Sequence, residues 1–340
     1  MVSTNRTVGA GSPPPGVTPN FTNPESIGYQ IIIAAVVCPV FAIAICLLRL
    51  HTARHILRRF HSDDWLIVVG LVFAVAYSIV NLLQLHNGAG RHLWDVPLAD
   101  FKMFIKLGSI GGSLTYNLST LFIKVSILQF YLRFPSGRSF RLATYFTMFV
   151  AVGYSIPQAF AWSYHCQPTA RYWDRTIPGT CIQGEPYLAS ACLNVATDII
   201  ILLLPIWLAW PLRLPRRQKM GVICILMAGG FVCAVSIVRL QAIISGLQDP
   251  DITWHYVENL VWWYALVEMY TGIICACLPC LKAFFQRRFP GIFAFLDQPN
   301  QPTLFSLEPI GRRIFDQSGE RRGDQASLGS KSLHQSEREG

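Results

Sequence analysis

Seven long runs of apolar residues divide the chain, and short polar stretches separate them. They cover roughly 29–50, 65–85, 106–131, 142–164, 187–210, 220–245 and 259–281. Each is close to the 20 or so apolar residues that a helix needs to cross a bilayer. None shows the period-two alternation, sustained for about ten residues, that marks the strands of a membrane barrel. The pattern predicts an all-α fold, a bundle of seven transmembrane helices. Residues 1–28 are polar and Pro-rich and lack the apolar core of a secretory signal, so the first helix is expected to serve as the insertion signal. Residues 297–340 are rich in Ser, Gly and charge and read as a disordered tail. Between the last run and this tail, Phe284, Phe285, Phe289, Ile292, Phe293 and Phe295 mix with Lys282, Arg287 and Arg288. That mixture predicts a short interfacial helix after the seventh span, broken near Pro290 and Gly291. The expected organisation is therefore an extracellular segment 1–28, a membrane domain 29–296 and a cytosolic tail 297–340.

Composition agrees with the pattern. Charged residues are 14% of the 340 and hydrophobic ones 52%, whereas a soluble domain carries about 25% charged residues. The few charges set an orientation. Four connections (49–64, 132–141, 211–219 and 282–288) hold fourteen Lys and Arg against only Asp63 and Asp64. The three opposite loops hold five basic residues and seven acids. This is a positive-inside signal that places the N-terminus outside and the C-terminus in the cytosol. The net charge of +9 thus belongs to membrane loops, which argues against nucleic acid as a partner. The bilayer is the first partner expected, and the basic inner loops are candidates for contact with anionic lipid or a cytosolic signalling protein. Two sequons, at Asn5 and Asn20, fall in the outward segment and are candidate glycosylation sites. A third, at Asn117, lies within a helix.

An ionisable side chain in hydrocarbon is expensive, about 2.5–3.5 kcal/mol on insertion scales, and marks a candidate site. Lys124, Asp198, Arg239 and Glu268 are the four. At 1.5 Å per residue, Asp198 and Glu268 lie deep and within reach of Arg239. Lys124, counted from the other face, is expected to find carbonyls, a phenol or headgroups. Ser113, Asn117, Thr120 and Lys124 share one helix face, as do Asn194 and Asp198, and Tyr264, Glu268 and Gly272. Facing polar stripes either tie the bundle together or line a cavity. The predicted network is Lys124, Asn117, Asn194, Asp198, Arg239 and Glu268, and the aromatic-rich outer side allows an apolar small-molecule ligand.

Cysteine placement follows the topology. Only Cys166 and Cys181 lie in an outward loop, where a disulfide is expected. Cys277 and Cys280 have C-x-x-C spacing but no second ligand pair, and His51 and His55 have no acidic partner beside them. No metal or cofactor is expected, although Cys280 beside Lys282 is a candidate for palmitoylation.

The familiar seven-helix classes do not fit. The last span has no Lys for a retinal Schiff base, and Lys282 lies at its mouth. Helix three ends Phe130-Tyr131-Leu132-Arg133 rather than in an acid–Arg–Tyr triplet, and helix seven lacks Asn-Pro-x-x-Tyr. The block Lys124-Val-Ser-Ile-Leu-Gln-Phe-Tyr131-Leu-Arg133 instead resembles the fungal rhodopsin-domain integral membrane proteins. That group includes the satratoxin-cluster membrane protein and the Pth-type receptor-like proteins of filamentous ascomycetes. Further matches are Asp63-Asp64-Trp65, Cys166-x-Pro168 with Trp173 and Cys181, Asn194-x-x-x-Asp198 with Pro205, Ser236-Ile-Val-Arg239, and Glu268 with Gly272 and Cys277-Leu-Pro279. The resemblance implies a multi-pass protein of the plasma membrane or endomembranes of a filamentous fungus, receptor-like or accessory to secondary metabolism. Some receptor-like members carry a Cys-rich module ahead of the helices, whereas the first Cys here is Cys38.

Three functions compete on these residues. A receptor-like or accessory protein would hold a ligand in a cavity open to the outside. A membrane-embedded cyclase would use Asp198 or Glu268 as catalytic acid or base on an apolar isoprenoid or polyketide. A transporter would use the same acids as a proton relay, but no inverted repeat is visible. The first is expected, leaving no enzyme activity assigned.

Overall fold

The computed structural model describes residues 9–58, 60–134, 137–164, 166–174, 176–181, 185–209, 216–246, 251, 253–254, 257 and 261–288. The helices are α1 (Tyr29–His51), α2 (Ser62–His86), α3 (Leu98–Lys106), α4 (Ser113–Leu132), α5 (Arg138–Ser163), α6 (Glu185–Ala209), α7 (Arg216–Gly246) and α8 (Val261–Arg288). A wide turn, Leu107–Gly112, joins α3 to α4 without a break, so the third apolar run begins a full two turns earlier than its hydropathy indicates. The expected separate interfacial helix is corrected in part. α8 runs on through Pro279 and Lys282 as far as Arg288, and residues 289–296 lie outside the described ones, as do Asn5 and the tail 297–340.

Among the described residues, five helices are long and apolar enough to cross a membrane: Tyr29–Ile56, Ser62–His86, Leu188–Leu208, Leu226–Ser245 and Trp262–Leu281. α4 and α5 are more polar because their sequences carry the inward-turned hydroxyls and amides of the bundle. In α4, Ser113, Asn117, Ser119, Thr120, Lys124 and Ser126 are all buried. A polar stripe is tolerated in a helix when it faces other helices.

Helix α8 is the axis of the bundle. Of its most apolar stretch 72% is buried, against 22–44% in the other four spans, and it packs on α1, α2, α4 and α7. Side-chain size follows position. α1 turns Ala34, Ala35, Ala42 and Cys46 inward to Leu266, Met269, Tyr270 and Ile273. Its large residues, Ile33, Val40, Phe41 and Leu47, are exposed on the other face. Small inward residues let helices approach where no hydrophobic effect pulls them together. A Cβ on Gly70 or Gly272 would lie 3.2 Å from an Ile123 side-chain carbon, so α2, α4 and α8 close around that one residue.

One end of the bundle is capped. Cys166 and Cys181 form a disulfide and pair as the ends of a two-residue β-ribbon. Lys102 Nζ donates to Asp174 Oδ2 at 2.7 Å, tying this hairpin to α3. That bond, with two more from Thr176, holds the Asp174 carboxyl low, at about 2. The tether is therefore complete at neutral pH and lost only as pH falls through that value. The segment before α1 lies across the same end, with Asn20 N–H bonded to Asp95 Oδ1 at 2.8 Å and Ile27 N–H to Gly90 O at 3.0 Å. Gly90 has φ +74° and its N–H reaches Thr253 O, which brings in the segment preceding α8. Beside it, His92 stacks between Trp94 and Trp254 at 4.5 and 3.9 Å and bonds Asp251 through Nδ1 at 2.8 Å.

Candidate functional site

Mid-bundle, α4, α6, α7 and α8 bring four charges together. Lys124, Asp198, Arg239 and Glu268 are 3–8% exposed. Lys124 Nζ lies 3.0 Å from Asp198 Oδ1. It also donates to Thr197 Oγ1 (2.7 Å), Asn194 Oδ1 (2.9 Å), Asn194 O (3.0 Å) and Tyr154 OH (3.1 Å), so its three protons are shared among five acceptors. Asp198 Oδ2 accepts from Ser236 Oγ at 3.0 Å. Glu268 Oε1 accepts from Asn194 Nδ2 at 2.8 Å and from Tyr116 OH at 3.0 Å. Its Oε2 lies 2.9 Å from Arg239 Nε, but the angle is poor for a hydrogen bond, so the contact is one of charge. The guanidinium sits 4.8 Å above the Tyr116 ring, a cation–π contact. Two cations and two anions make the layer neutral.

The expected pairing of Lys124 with a carbonyl and a phenol is incomplete: its charge partner is Asp198. Depths counted from opposite membrane faces concealed this, because a lysine spans several ångströms along its own helix. Asn194 is the hub, touching Lys124 and both carboxylates. Asn117 is buried at the expected place, but its amide donates to Ser113 O at 2.8 Å, one turn back in its own helix. Tyr264 is half-buried and packs edgewise on Trp263. Tyr116, Tyr154 and Thr197 were missed. Tyr116 adjoins a residue of the predicted stripe and was within reach of a closer reading, whereas Tyr154 is a lone phenol on α5 that carries no local signal.

A cavity opens beneath this layer, toward the end where α4 and α6 finish. It is narrow, with a cavity volume of about 60 Å³. Lys124, Asp198 and Glu268 form its roof. Its walls are apolar, with Ile123, Ile201, Val232 and Met269 among them, and Tyr131 and Cys275 lie at the far end. The charge layer stands between this space and the end that carries the disulfide hairpin.

A second charge cluster lies at the opposite, basic end and escaped the sequence reading. Arg49 Nη2 contacts Asp63 Oδ2 at 2.6 Å, and its Nε donates to Asp64 Oδ1 at 2.9 Å. A further Arg49 N–H donates to Ala276 O of α8, and Arg133 pairs with Asp63. Arg49, Asp63 and Asp64 are each 1% exposed. Asp64 Oδ2 also accepts the His61 N–H at 3.0 Å, capping α2. All of these lie near span ends, where the sequence places them among the membrane-loop charges. Removing Arg49, Arg133 and the two acids from that count leaves the basic excess at this end unchanged. Cys280 is buried beside the cluster, which removes it as a palmitoylation site, and His51 and His55 are exposed. Among the described residues no group of three or more His, Cys, Asp or Glu side chains could hold a metal ion.

Fold and site together define a helical membrane protein with a neutralised charge layer above an apolar cavity. Residues 48–287 match the family model of the fungal rhodopsin domain, and the chain belongs to that family. A SAT4 family membrane protein of Emericella nidulans is 31% identical over 220 residues, 63% of this chain and 54% of that protein. The Fugralins biosynthesis cluster protein 2 of Gibberella zeae is 24% identical over 339 residues, 97% of this chain and 83% of its own. The Receptor GIN3 of Arthrobotrys oligospora is 23% identical over 306 residues, 86% of this chain and 69% of its own. The chain thus spans about half the length of the first of these relatives. No solved structure matches it.

Proposed function

We propose that this chain is a seven-span membrane protein, N-terminus out, that binds an apolar small molecule beneath its charge layer and serves a secondary-metabolite pathway as receptor or accessory. The observation that carries this reading is the apolar cavity roofed by paired charges. Relatives named as a receptor and as a biosynthesis cluster protein favour the same two roles. α4 and α5 complete the seven spans, their polar residues being turned inward. The basic loops at the inner end would meet anionic lipid or a cytosolic partner. A cyclase is the weaker reading, because both oxygens of each carboxylate already have partners: Lys124 and Ser236 for Asp198, Asn194 and Arg239 for Glu268. A transporter finds no favouring feature.

The reading is tested by comparative metabolite profiling of a deletion strain complemented with wild type, Asp198→Asn or Glu268→Gln. Both variants are expected to reach the membrane and yet fail to restore the wild-type profile. Full restoration by both would remove the site from function. Orientation has its own test. An outward N-terminus makes the exposed Asn20 an acceptor, so endoglycosidase should shift the protein's mobility on a gel. Replacing Asn5 and Asn20 by Gln should abolish the shift, and an unshifted wild-type band would argue for the opposite orientation.

A further inference from the structure

The cavity is walled unevenly. On α8 its lining residues Glu268, Met269, Gly272 and Cys275 are all buried. On α4 only Ile127 is half-buried, and it packs against two apolar clusters inside the bundle. The thin side is the seam between α6 and α7, where Leu202, Gly229 and Val232 are all half-buried. Leu202 shares a helix face with Ile199 and Ile206, which are 39% and 37% exposed and line the lipid side of α6. It thus stands between cavity and bilayer.

The far side of the seam is built from glycine. A Cβ placed on Gly229 would meet one atom within 4 Å, Leu202 Cδ1 at 2.9 Å, and one on Gly230 would meet none. Among the described residues, the contact across the seam at Gly229 is the tip of one leucine against a residue with no side chain. A leucine rotamer changes in nanoseconds where it is not locked by neighbours. On the other side the charge layer of Lys124, Asp198 and Glu268 closes the cavity.

The roof constrains what enters. Lys124, Asp198, Arg239 and Glu268 cancel in charge, so an ionised ligand beneath them would bring an unmatched charge into oil. A neutral one would not. We infer that the cavity is loaded sideways from the bilayer, between Leu202 and Gly229, by an uncharged and largely apolar molecule. This inference rests on the ligand-site reading above.

Cys233 lines the cavity and is a built-in reporter. The full chain in lipid nanodiscs would be exposed either to N-(1-pyrenyl)maleimide, which partitions into lipid, or to a permanently charged trimethylammonium methanethiosulfonate. Modification of Cys233 would be followed by peptide mass spectrometry. The lipid-borne reagent should modify Cys233 and the charged one should not. Leu202→Ala should speed the lipid-borne reaction about tenfold, the rate effect of a modest change in barrier, and Gly229→Ala should slow it. Dodecanol should protect Cys233, whereas dodecanoate and dodecylammonium should not. Equal modification by the charged reagent would overturn the lateral route. So would an unchanged rate in Leu202→Ala with wild-type helix content and melting temperature. Protection by either ionised amphiphile would overturn the neutral-ligand assignment. The ligand-site reading fails separately, through wild-type metabolite profiles in the Asp198→Asn and Glu268→Gln strains, a result that leaves the labelling kinetics as they are.

Discussion

Replacing Arg49 by Met should cost about 3–5 kcal/mol of stability, the penalty for breaking a buried ion cluster by removing one partner. The guanidinium has no substitute in its surroundings. It is 1% exposed and holds Asp63, Asp64 and the Ala276 carbonyl at once, and so fastens α1 to α2 and to the central α8. Without it two carboxylates remain in a place water does not reach, with Arg133 alone among the described residues to answer them. Arg133 pairs with Asp63 but is 30% exposed and can swing into solvent, so its loss should cost less. The measurement is thermal or chemical unfolding in detergent micelles. Arg49→Met should unfold far below wild type and Arg133→Met only moderately below it. Equal, small effects would mean that the cluster is solvated after all.

Lys124→Met should be nearly as damaging, by about 3–5 kcal/mol on the same reasoning. The methionine replaces much of the lysine stem but leaves Asp198 without its cation. It also leaves Asn194, Thr197 and Tyr154 without the donor that organises them. Lys124→Arg keeps the charge but not the shape. The guanidinium is a flat fork, whereas the ammonium here points its protons at acceptors on α5 and α6 together. Arginine should therefore recover only part of the loss. Full recovery by arginine would show that charge alone matters here and that the shared-proton geometry does not.

How much of this was legible depended on what kind of information the chain carries locally. Helix positions were readable because apolar run length answers directly to bilayer thickness, and the four mid-span charges stood out against oil. The longer third helix was not, because Leu98–Lys106 is amphipathic and carries Asp100, Lys102 and Lys106, so its hydropathy falls short of a span. Counting residues from one face put both Glu268 and Asp198 within reach of Arg239, and the structure pairs it with Glu268. Lys124 could not be matched with Asp198 in that way. The Arg49 cluster was hidden for a different reason: a charge at a span end reads the same whether it points to water or folds back between helices. Only the two acids, isolated in an otherwise basic set of loops, hinted at it. The side of the charge layer on which the cavity opens depends on how four helices lean together, and no single helix records that.

The neutralised layer is tested most directly by a double-mutant cycle on Lys124→Met and Asp198→Asn, read by unfolding in micelles. Facing partners at 3.0 Å should give a coupling of about 2–3 kcal/mol, the upper part of the range for residues in one network, so that the double variant loses that much less than the sum of the two single losses. Simple additivity of the two losses would mean that these charges do not answer one another across the helices.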